Sequence, residues 1–159
     1  KTRATGKGLF AQAMHSDGAR WADLSIPQTK FDLPEGVEFD EWQLGKRYMN
    51  GQSVFRFAVG TFPRVIEQTL DRAGMTAGDV DHFICHQSNR RILEAARDRF
   101  GLAEEKFHIN IDRFANTVAA SIPLVLNDLV SARSVKPGQR VMFVGFGGGL
   151  TWGTSLWQL

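Results

Sequence analysis

The chain has 159 residues, of which 43% are hydrophobic and 23% are charged, a composition typical of a globular protein with a buried core. Nineteen basic residues against seventeen acidic ones give a net charge of +2, and no basic run forms a stripe for phosphates. We therefore expect no nucleic-acid partner. Because no stretch is apolar over the length of a membrane span, and residues 1–7 lack the apolar core of a signal peptide, we expect no membrane partner either.

Cysteine usage points to a reducing environment. Cys85 is the only cysteine, so the chain cannot form an internal disulfide, and we expect a cytoplasmic protein. The sequence opens on Lys1 rather than methionine, which is compatible with a fragment, a processed product or an incompletely described chain.

In chain order, the first predicted elements are a β-hairpin and a long loop. Residues 9–15 partly alternate in polarity, residues 16–18 (Ser-Asp-Gly) favour a turn, and residues 21–26 can return as a second strand. Residues 27–48 are rich in proline, glycine and charge without a clear period, which is typical of a long loop.

The clearest helix is predicted over residues 52–73. Its apolar residues recur at the i, i+3, i+4, i+7 spacing of one buried stripe. The residues of this stripe are Phe55, Ala58, Val59, Phe62, Val65, Ile66 and Leu70. Gly74 is expected to end the helix, and Pro63 is expected to kink it.

The rest of the chain is predicted to alternate strands with helices. Strands are predicted at residues 80–86, 107–111, 140–144 and 151–159, helices at 89–100 and 119–132, and a glycine turn at 145–149. Helices that alternate with strands and finish in a strand hairpin indicate a layered α/β fold. We therefore predict one α/β domain over residues 1–159.

Three short motifs carry the functional information. They are His-Gln-Ser-Asn at 86–89, Phe-Ala-Asn-Thr at 114–117 leading into Ala-Ala-Ser-Ile-Pro at 119–123, and Gly-Phe-Gly-Gly-Gly-Leu-Thr-Trp-Gly at 145–153. Singly they indicate little. A histidine at a strand end is commonly structural, an asparagine in a loop is commonly a turn residue, and the glycine run lacks the lysine of a P-loop.

Together and in this order, the motifs resemble the 3-oxoacyl-[acyl-carrier-protein] synthase III family. That family carries His-Gln-Ala-Asn, an Asn-Thr-Ser-Ala-Ala-Ser-type loop and a closing Phe-Gly-Gly-Gly-(Phe/Leu)-Thr-Trp-Gly. Ser88 replaces the alanine, and Val118 replaces the small residue after Asn-Thr. The resemblance covers most of the chain and matches the family's C-terminal half. It implies a thiolase-like half-domain, a layered mixed five-stranded sheet with helices that forms half of an αβαβα sandwich in a homodimeric enzyme.

The resemblance implies a decarboxylating Claisen condensation of an acyl-CoA primer with malonyl-acyl carrier protein to give a 3-oxoacyl product. Carried over by motif, His86 and Asn116 are the catalytic pair, a neutral Nε2–H and an amide N–H that stabilise the enolate. Phe146 matches the phenylalanine beside the active centre, and Gly148 matches the glycine whose backbone N–H completes the oxyanion hole. Coenzyme A and phosphopantetheine thioesters are substrates, so no resident cofactor is expected.

Further positions match the family's route for substrates. Those matching the coenzyme A and phosphopantetheine tunnel are Asn89, Arg91, Gly51, Gln52 and Phe55. Arg56 matches a basic position that the family turns toward its acyl carrier protein. A solvated helix face is the alternative for Arg56 and Arg91, and packing in the helix core is the favoured interpretation for Phe55.

The family's nucleophilic cysteine has no match in this chain. Cys85 is adjacent to His86 in a predicted strand, so its side chain is expected on the opposite face, as a small buried hydrophobe. A zinc site of His82, Cys85 and His86 fails on the same alternation, and no metal is expected. The resemblance therefore implies a cysteine-bearing N-terminal half as partner, in the same or a separate polypeptide.

Three alternatives remain beside this interpretation. One is a non-catalytic partner subunit of a condensing enzyme, although such a scaffold has no physical need for both His86 and Asn116. Another is a type III polyketide synthase, but residues 87–89 and the closing motif favour the synthase III branch. The third is a homologue that acylates a small molecule in secondary metabolism. The sequence leaves the length of the primer open.

Overall fold

A computed structural model describes residues 6–38 and 40–159 of the chain. The strands are β1 (Gly8–Ser16), β2 (Leu24–Ser25), β3 (Tyr48–Met49), β4 (His82–Cys85), β5 (Phe107–His108), β6 (Arg140–Gly147) and β7 (Thr151–Gln158). The α-helices are α1 (Gly51–Ala73), α2 (Arg90–Arg99), α3 (Ile111–Phe114) and α4 (Ser121–Ser131). None of the helices in these residues has the length and apolar character that crossing a bilayer requires.

The main sheet is mixed and has the strand order β1-β7-β6-β4-β5. β4 lies parallel to both β5 and β6, while β7 runs antiparallel to β6 and β1. β2 and β3 form a separate two-stranded sheet. The predicted five-stranded α/β half-domain is thus confirmed in its mixed pairing and strand number.

Helices cover both faces of this sheet, because alternate residues of its strands pack in opposite directions. Phe83 and Cys85 of β4 join the core under α1 and α2, whereas Ile84 joins a second cluster with Val125 of α4. The result is a three-layered unit in which the C-terminal end of β4 lies between the two helical layers.

The sequence explains where helix α1 begins and where it ends. The Asn50 side chain accepts the backbone N–H of Ser53 and caps the first turn, and Gly74 ends the helix in the left-handed conformation at φ 65°. The helix continues through Pro63, which is buried inside it. The predicted bounds of residues 52–73 are therefore confirmed to within one residue.

The buried face of α1 differs from the predicted stripe at its first two turns. Phe55 is 37% exposed and Val59 is only partly buried, whereas Val54 and Phe57 are buried. The core packing favoured for Phe55 is therefore wrong. The cause is tertiary: this end of the helix packs on the aromatic residues of β6 and β7, so Phe57 rather than Phe55 meets another element.

The predicted N-terminal hairpin is also wrong. After β1 the chain enters a 3₁₀ segment, Gly18–Asp23, and β1 pairs along its length with the distant strand β7. Ala11 and Ala13 of β1 are buried in this pairing. Two residues of the predicted return strand, Leu24 and Ser25, form β2, which pairs with β3 instead of β1.

The other predicted elements are present with shorter or shifted bounds. The predicted strand at 107–111 retains two residues because α3 begins at Ile111, and the helix predicted from residue 119 begins at Ser121 after a 3₁₀ turn. Strand β6 continues to Gly147 and so takes up part of the predicted glycine turn. The predicted loop at 27–48 consists of turns and short 3₁₀ segments in its described part, and Phe39 lies outside the described residues.

Two histidines at the ends of neighbouring strands form a buried polar pair. His82 Nδ1 and His108 Nε2 are 2.9 Å apart, and His82 Nε2 lies 3.1 Å from Gln139 Oε1. Gln139 Oε1 also accepts the Lys136 N–H, so it acts as an acceptor and His82 carries its proton on Nε2. His82 Nδ1 therefore accepts from His108 Nε2–H.

This pair predicts a pH dependence of stability. Burial, together with the neighbouring His82, lowers the pKa of His108 to about 4 from its ordinary value of 6.5. Between these values the unfolded chain binds a proton that the folded chain does not, so the free energy of unfolding decreases as pH falls from 6.5 to about 4. We expect denaturant titrations across this range to give a smaller decrease for His108→Gln. A replacement at the exposed His15 is the control, and identical slopes in His108→Gln and the unmodified protein would contradict this assignment.

Candidate active site

His86 follows β4 directly and lies on the face of the strand that turns toward α4. The ring is half-buried, and burial lowers the pKa of His86 below its ordinary value, so the imidazole is neutral at neutral pH. Its backbone N–H donates to the Val144 carbonyl of β6. This places a neutral imidazole at the C-terminal edge of the parallel strands.

A single hydroxyl holds the buried side of this ring. Ser121 Oγ, at the first residue of α4, lies 2.7 Å from His86 Nδ1. The same oxygen accepts the Gln87 backbone N–H at 3.2 Å and donates to the Val118 carbonyl at 2.9 Å. Ser121 is 1% exposed, so these three groups make up its environment. The ring is therefore anchored through Nδ1, and Nε2 is left for the open side.

Asn116 is connected to the same network through Val118. The Val118 N–H donates to Asn116 Oδ1 at 3.0 Å. Because this bond occupies the amide oxygen, the amide nitrogen is the end of the exposed side chain that remains available as a donor. Hydrogen bonds thus connect His86 to Asn116 through Ser121 and Val118, and the catalytic role of the pair stays a prediction.

The backbone on both sides of Asn116 is strained. Ala115 has φ 56° and ψ −161°, and Val118 has φ 54°. The first combination is almost confined to glycine, and the second is rare for a β-branched residue. Such residues cost on the order of 1–3 kcal/mol each and persist where the surrounding structure over-determines them. The loop is therefore held in a costly shape that presents Asn116.

Gln87 stiffens the turn that carries His86. Its buried side-chain amide donates to the carbonyls of Cys85 and His108, and its oxygen accepts the Asn110 N–H at 2.9 Å. The side chain is 1% exposed, and both of its N–H groups and one lone pair of its oxygen take part in hydrogen bonds. The second residue of the first motif is thus a structural brace that fixes the end of β4 to β5.

Phe146 lies beside the histidine, where the resemblance placed it. Its ring centroid is 5.6 Å from that of His86, with an edge-on angle of 71°. Phe62 and Phe57 of α1 meet the other sides of Phe146 at 5.6 and 6.5 Å. These edge-to-face contacts connect α1 to the site through Phe57, a residue to which the sequence gave no role.

Gly148 lies in the turn between β6 and β7. A Cβ on this residue would be 3.1 Å from the Leu24 carbonyl oxygen, so a side chain would press on β2. The tight contact favours glycine there, because a side chain would need the Leu24 backbone to shift by a few tenths of an ångström. Its N–H as part of an oxyanion hole stays a prediction.

The two tunnel positions after His86 lie at the start of α2. Asn89 caps this helix by accepting the Arg91 N–H at 2.9 Å, so its amide oxygen is committed to the fold. Arg91 is exposed, and its guanidinium makes no ion pair within residues 6–38 and 40–159. The tunnel role of both residues stays a prediction, and the helix cap adds a structural role for Asn89.

The remaining positions lie in the first two turns of α1, which are exposed. Gly51 is the first helical residue, and Gln52 accepts a hydrogen bond from Arg56 at 3.3 Å. Phe55 lies between Gln52 and Arg56 in the sequence, and its side chain is partly exposed. Phe57, further along the helix, contacts Phe146 beside His86. Contact of these residues with substrate or carrier stays a prediction.

Cys85 takes no part in the site. Its side chain is fully buried in the core beneath α1 and α2, on the face of β4 opposite to His86, as strand alternation predicts. Burial raises the pKa of its thiol, so no thiolate is available at neutral pH. In the described part of the chain, no group of three or more His, Cys, Asp or Glu side chains could hold a metal ion.

Comparison with known proteins agrees with these motifs. A family model described as 3-oxoacyl-[acyl-carrier-protein (ACP)] synthase III, C terminal, matches residues 70–159. A beta-ketoacyl-[acyl-carrier-protein] synthase III of Microcystis aeruginosa is 41% identical over 156 residues, which are 97% of this chain and 47% of the relative. The chain thus spans about half the length of the curated relatives it matches.

Solved structures give the same picture at the level of the fold. The beta-ketoacyl-[acyl carrier protein] synthase III of Thermus thermophilus superimposes with a TM-score of 0.88 at 36% identity, over all of this chain and 48% of that one. The priming beta-ketosynthase of the R1128 polyketide biosynthetic pathway gives a TM-score of 0.78 at 31% identity, over 96% of this chain and 45% of that one. The three layers described above are therefore a thiolase-like half-domain.

The strain beside Asn116 predicts a stabilising substitution. Because Ala115 adopts a backbone conformation that glycine tolerates, Ala115→Gly is expected to raise the free energy of unfolding by roughly 1 kcal/mol. Ala120 is the matched control: it has ordinary helical angles, φ −74° and ψ −13°, so Ala120→Gly is expected to destabilise. Denaturant titration of both variants measures the difference. A loss of stability in both would show that Ala115 carries no strain.

Proposed function

The chain belongs to the 3-oxoacyl-[acyl-carrier-protein] synthase III family, and we propose that it supplies the His86 and Asn116 part of the active site of a decarboxylating condensing enzyme. The observation that carries this proposal is the hydrogen-bonded path from His86 through Ser121 and Val118 to Asn116. It leaves one imidazole nitrogen and one amide nitrogen available on the open side of the site.

This pair suits the hardest step of a Claisen condensation. When a malonyl thioester loses carbon dioxide, the electrons of the broken carbon–carbon bond form an enolate whose negative charge gathers on the thioester oxygen. Fixed N–H donors aimed at that oxygen lower the barrier, because they need no reorganisation during the reaction. Asn116 Nδ2 and His86 Nε2 are the two atoms proposed to meet it. The enolate carbon then attacks an acyl group held as a thioester on a cysteine.

We propose that this cysteine is supplied by an N-terminal half, in the same or a separate polypeptide. Cys85 is excluded by its position in the core. The chain also has an apolar face suited to a partner. Val141 packs under α4, and its cross-strand neighbour Trp157, together with Leu9 paired to Trp157, lies on that same face. Trp157 and Leu9 remain 39% and 43% exposed, as expected for a surface that another domain covers.

The proposed substrates are an acyl-CoA primer and malonyl-acyl carrier protein, with a homodimer of the complete enzyme as the working form. The exposed Arg56 and Arg91 are proposed to attract acidic groups of the carrier protein or of coenzyme A. The exposed helix starts bearing Gly51, Gln52, Phe55 and Asn89 would line the route of the phosphopantetheine arm. A reducing cytoplasmic setting suits this chemistry, since the acyl carrier is a free thiol.

The likeness to the priming ketosynthase of the R1128 pathway supports a second candidate function, the priming of a polyketide. The chemistry at His86 and Asn116 would be unchanged. The difference would lie in the primer and in the carrier protein, so product analysis with acyl-CoA substrates of different length separates the two candidates.

The proposal is tested with His86→Ala in this chain assembled with its cysteine-bearing half. Loss of one fixed donor costs about 100- to 1000-fold in the rate of malonyl decarboxylation, whereas acyl loading of the cysteine should persist. Release of labelled carbon dioxide measures the first step, and mass spectrometry of the intact protein measures the second. His15→Ala, a change at an exposed histidine of β1, is the control. Equal loss of both steps in His86→Ala would assign His86 to the nucleophile or to the fold instead.

A further inference from the structure

We propose that Ser121 is a positioning residue that fixes the neutral His86 ring as its Nδ1–H tautomer, with Nε2 unprotonated in the resting site. The inference comes from the single proton of the Ser121 hydroxyl and the three groups around it. It concerns the position of one hydrogen, which decides whether His86 accepts or donates on the open side of the site.

Two of the three neighbours have only one possible role. The Val118 carbonyl can only accept, and its oxygen lies 2.9 Å from Ser121 Oγ. The Gln87 backbone N–H can only donate, and it points at the same Oγ from 3.2 Å. With its one proton given to Val118, the hydroxyl acts as an acceptor toward its third neighbour. His86 Nδ1, at 2.7 Å, must therefore carry a hydrogen.

The opposite arrangement costs a hydrogen bond. If the hydroxyl donated to His86 Nδ1 instead, Ser121 Oγ and the Val118 oxygen would face each other at 2.9 Å with no hydrogen between them. Two oxygen lone pairs at that distance repel. The Val118 carbonyl already accepts the Ser121 backbone N–H, so the repulsion between the two oxygens and the loss of one of the three contacts of the hydroxyl are what disfavour this arrangement. The arrangement with Nδ1–H satisfies all three contacts at once, and it leaves the Nε2 lone pair on the open side.

For the proposed function, on which this step rests, the consequence is a change in the role of His86. A neutral ring with bare Nε2 cannot donate to the thioester oxygen, contrary to the Nε2–H expected from the sequence. Asn116 Nδ2–H is then the one neutral donor of the pair. His86 becomes a donor when Nε2 takes up a proton from solvent and forms the imidazolium. The overall reaction consumes one proton: acyl loading passes the cysteine proton to the coenzyme A thiol, and the condensation then expels the cysteine as a thiolate, which this proton converts back to the thiol.

The surroundings of His86 fit such a proton uptake. Without substrate, burial favours the neutral ring. A malonyl carboxylate entering the site adds a negative charge nearby, and an opposite charge within a few ångströms favours the protonated form. The substrate itself would therefore convert His86 from an acceptor to a donor.

Nitrogen NMR of the assembled enzyme, with ¹⁵N-labelled histidine, tests the tautomer directly. Long-range proton–nitrogen correlations at neutral pH should show His86 Nδ1 at the shift of a protonated nitrogen and Nε2 at that of an unprotonated one. The His86→Asn variant identifies the signals. A protonated Nε2 in the resting enzyme overturns the inference, and this result needs no Ser121 variant to fold.

Variants of Ser121 test the positioning role through the pH profile. In the unmodified enzyme, decarboxylation needs the imidazolium, so its rate should fall as the pH rises. In Ser121→Ala the neutral ring is free to carry its proton on Nε2, and the fall should be at least twofold shallower per pH unit. Ser131→Ala, at the exposed C-terminal end of α4, should keep the original profile. Equal profiles in all three proteins would contradict the inference.

The two proposals fail in different ways. Protonated Nδ1 together with full decarboxylation in His86→Ala would remove the proposed function and retain the tautomer. Protonated Nε2 together with loss of decarboxylation in His86→Ala would retain the proposed function and overturn the tautomer.

Discussion

The contact between the end of β4 and the start of α4 is the constraint on which the site depends. Ser121 Oγ, buried at the first residue of α4, meets His86 Nδ1, the Gln87 N–H and the Val118 carbonyl. Helix α4 is held there because its Val125 packs in one hydrophobic cluster with Ile84 of β4. A small movement of α4 would therefore disturb the histidine and the asparagine loop together, because both are tied to the same hydroxyl.

The loop before α4 has a cost that a purely structural element would avoid. Ala115 and Val118 both adopt positive φ, and the sheet and helices around them supply the stability that offsets the strain. The result of the strained path is a Val118 N–H that fixes the orientation of Asn116. A non-catalytic partner subunit would have no use for this arrangement, so the loop geometry favours the catalytic interpretation over the scaffold interpretation.

The sequence predicted what depends on periodicity and on short motifs. Helix α1 with its Gly74 end and the α/β alternation follow from local patterns. The pair His86–Asn116 was named from the family's motifs, and its catalytic role stays a prediction. The predictions from the sequence were wrong where pairing or burial depends on a residue that is distant in the chain. The partner of β1 is β7 rather than the next segment, and Phe57 rather than Phe55 is buried because of Phe146. The roles of Ser121 and Gln87 depend on hydrogen bonds across 34 and 23 residues of sequence, which no local pattern contains. A serine at the first residue of an apolar helix was the one available signal.

Helix α4 connects assembly to chemistry, because it carries both a residue of the site and an exposed apolar residue. Helix α4 begins at Ser121 beside His86 and ends near Val130, which is 56% exposed on the same helix. Under the proposed function, a partner half that covers this helix face also closes the open side of His86 and Asn116. Such closure would remove water, and hydrogen bonds to a developing enolate are stronger in a medium of low dielectric constant. A cysteine brought by the partner half would then arrive in a site where the His86 ring and the Asn116 side chain are already oriented. The burial of this helix face by the partner half would thus also strengthen the hydrogen bonds to the enolate.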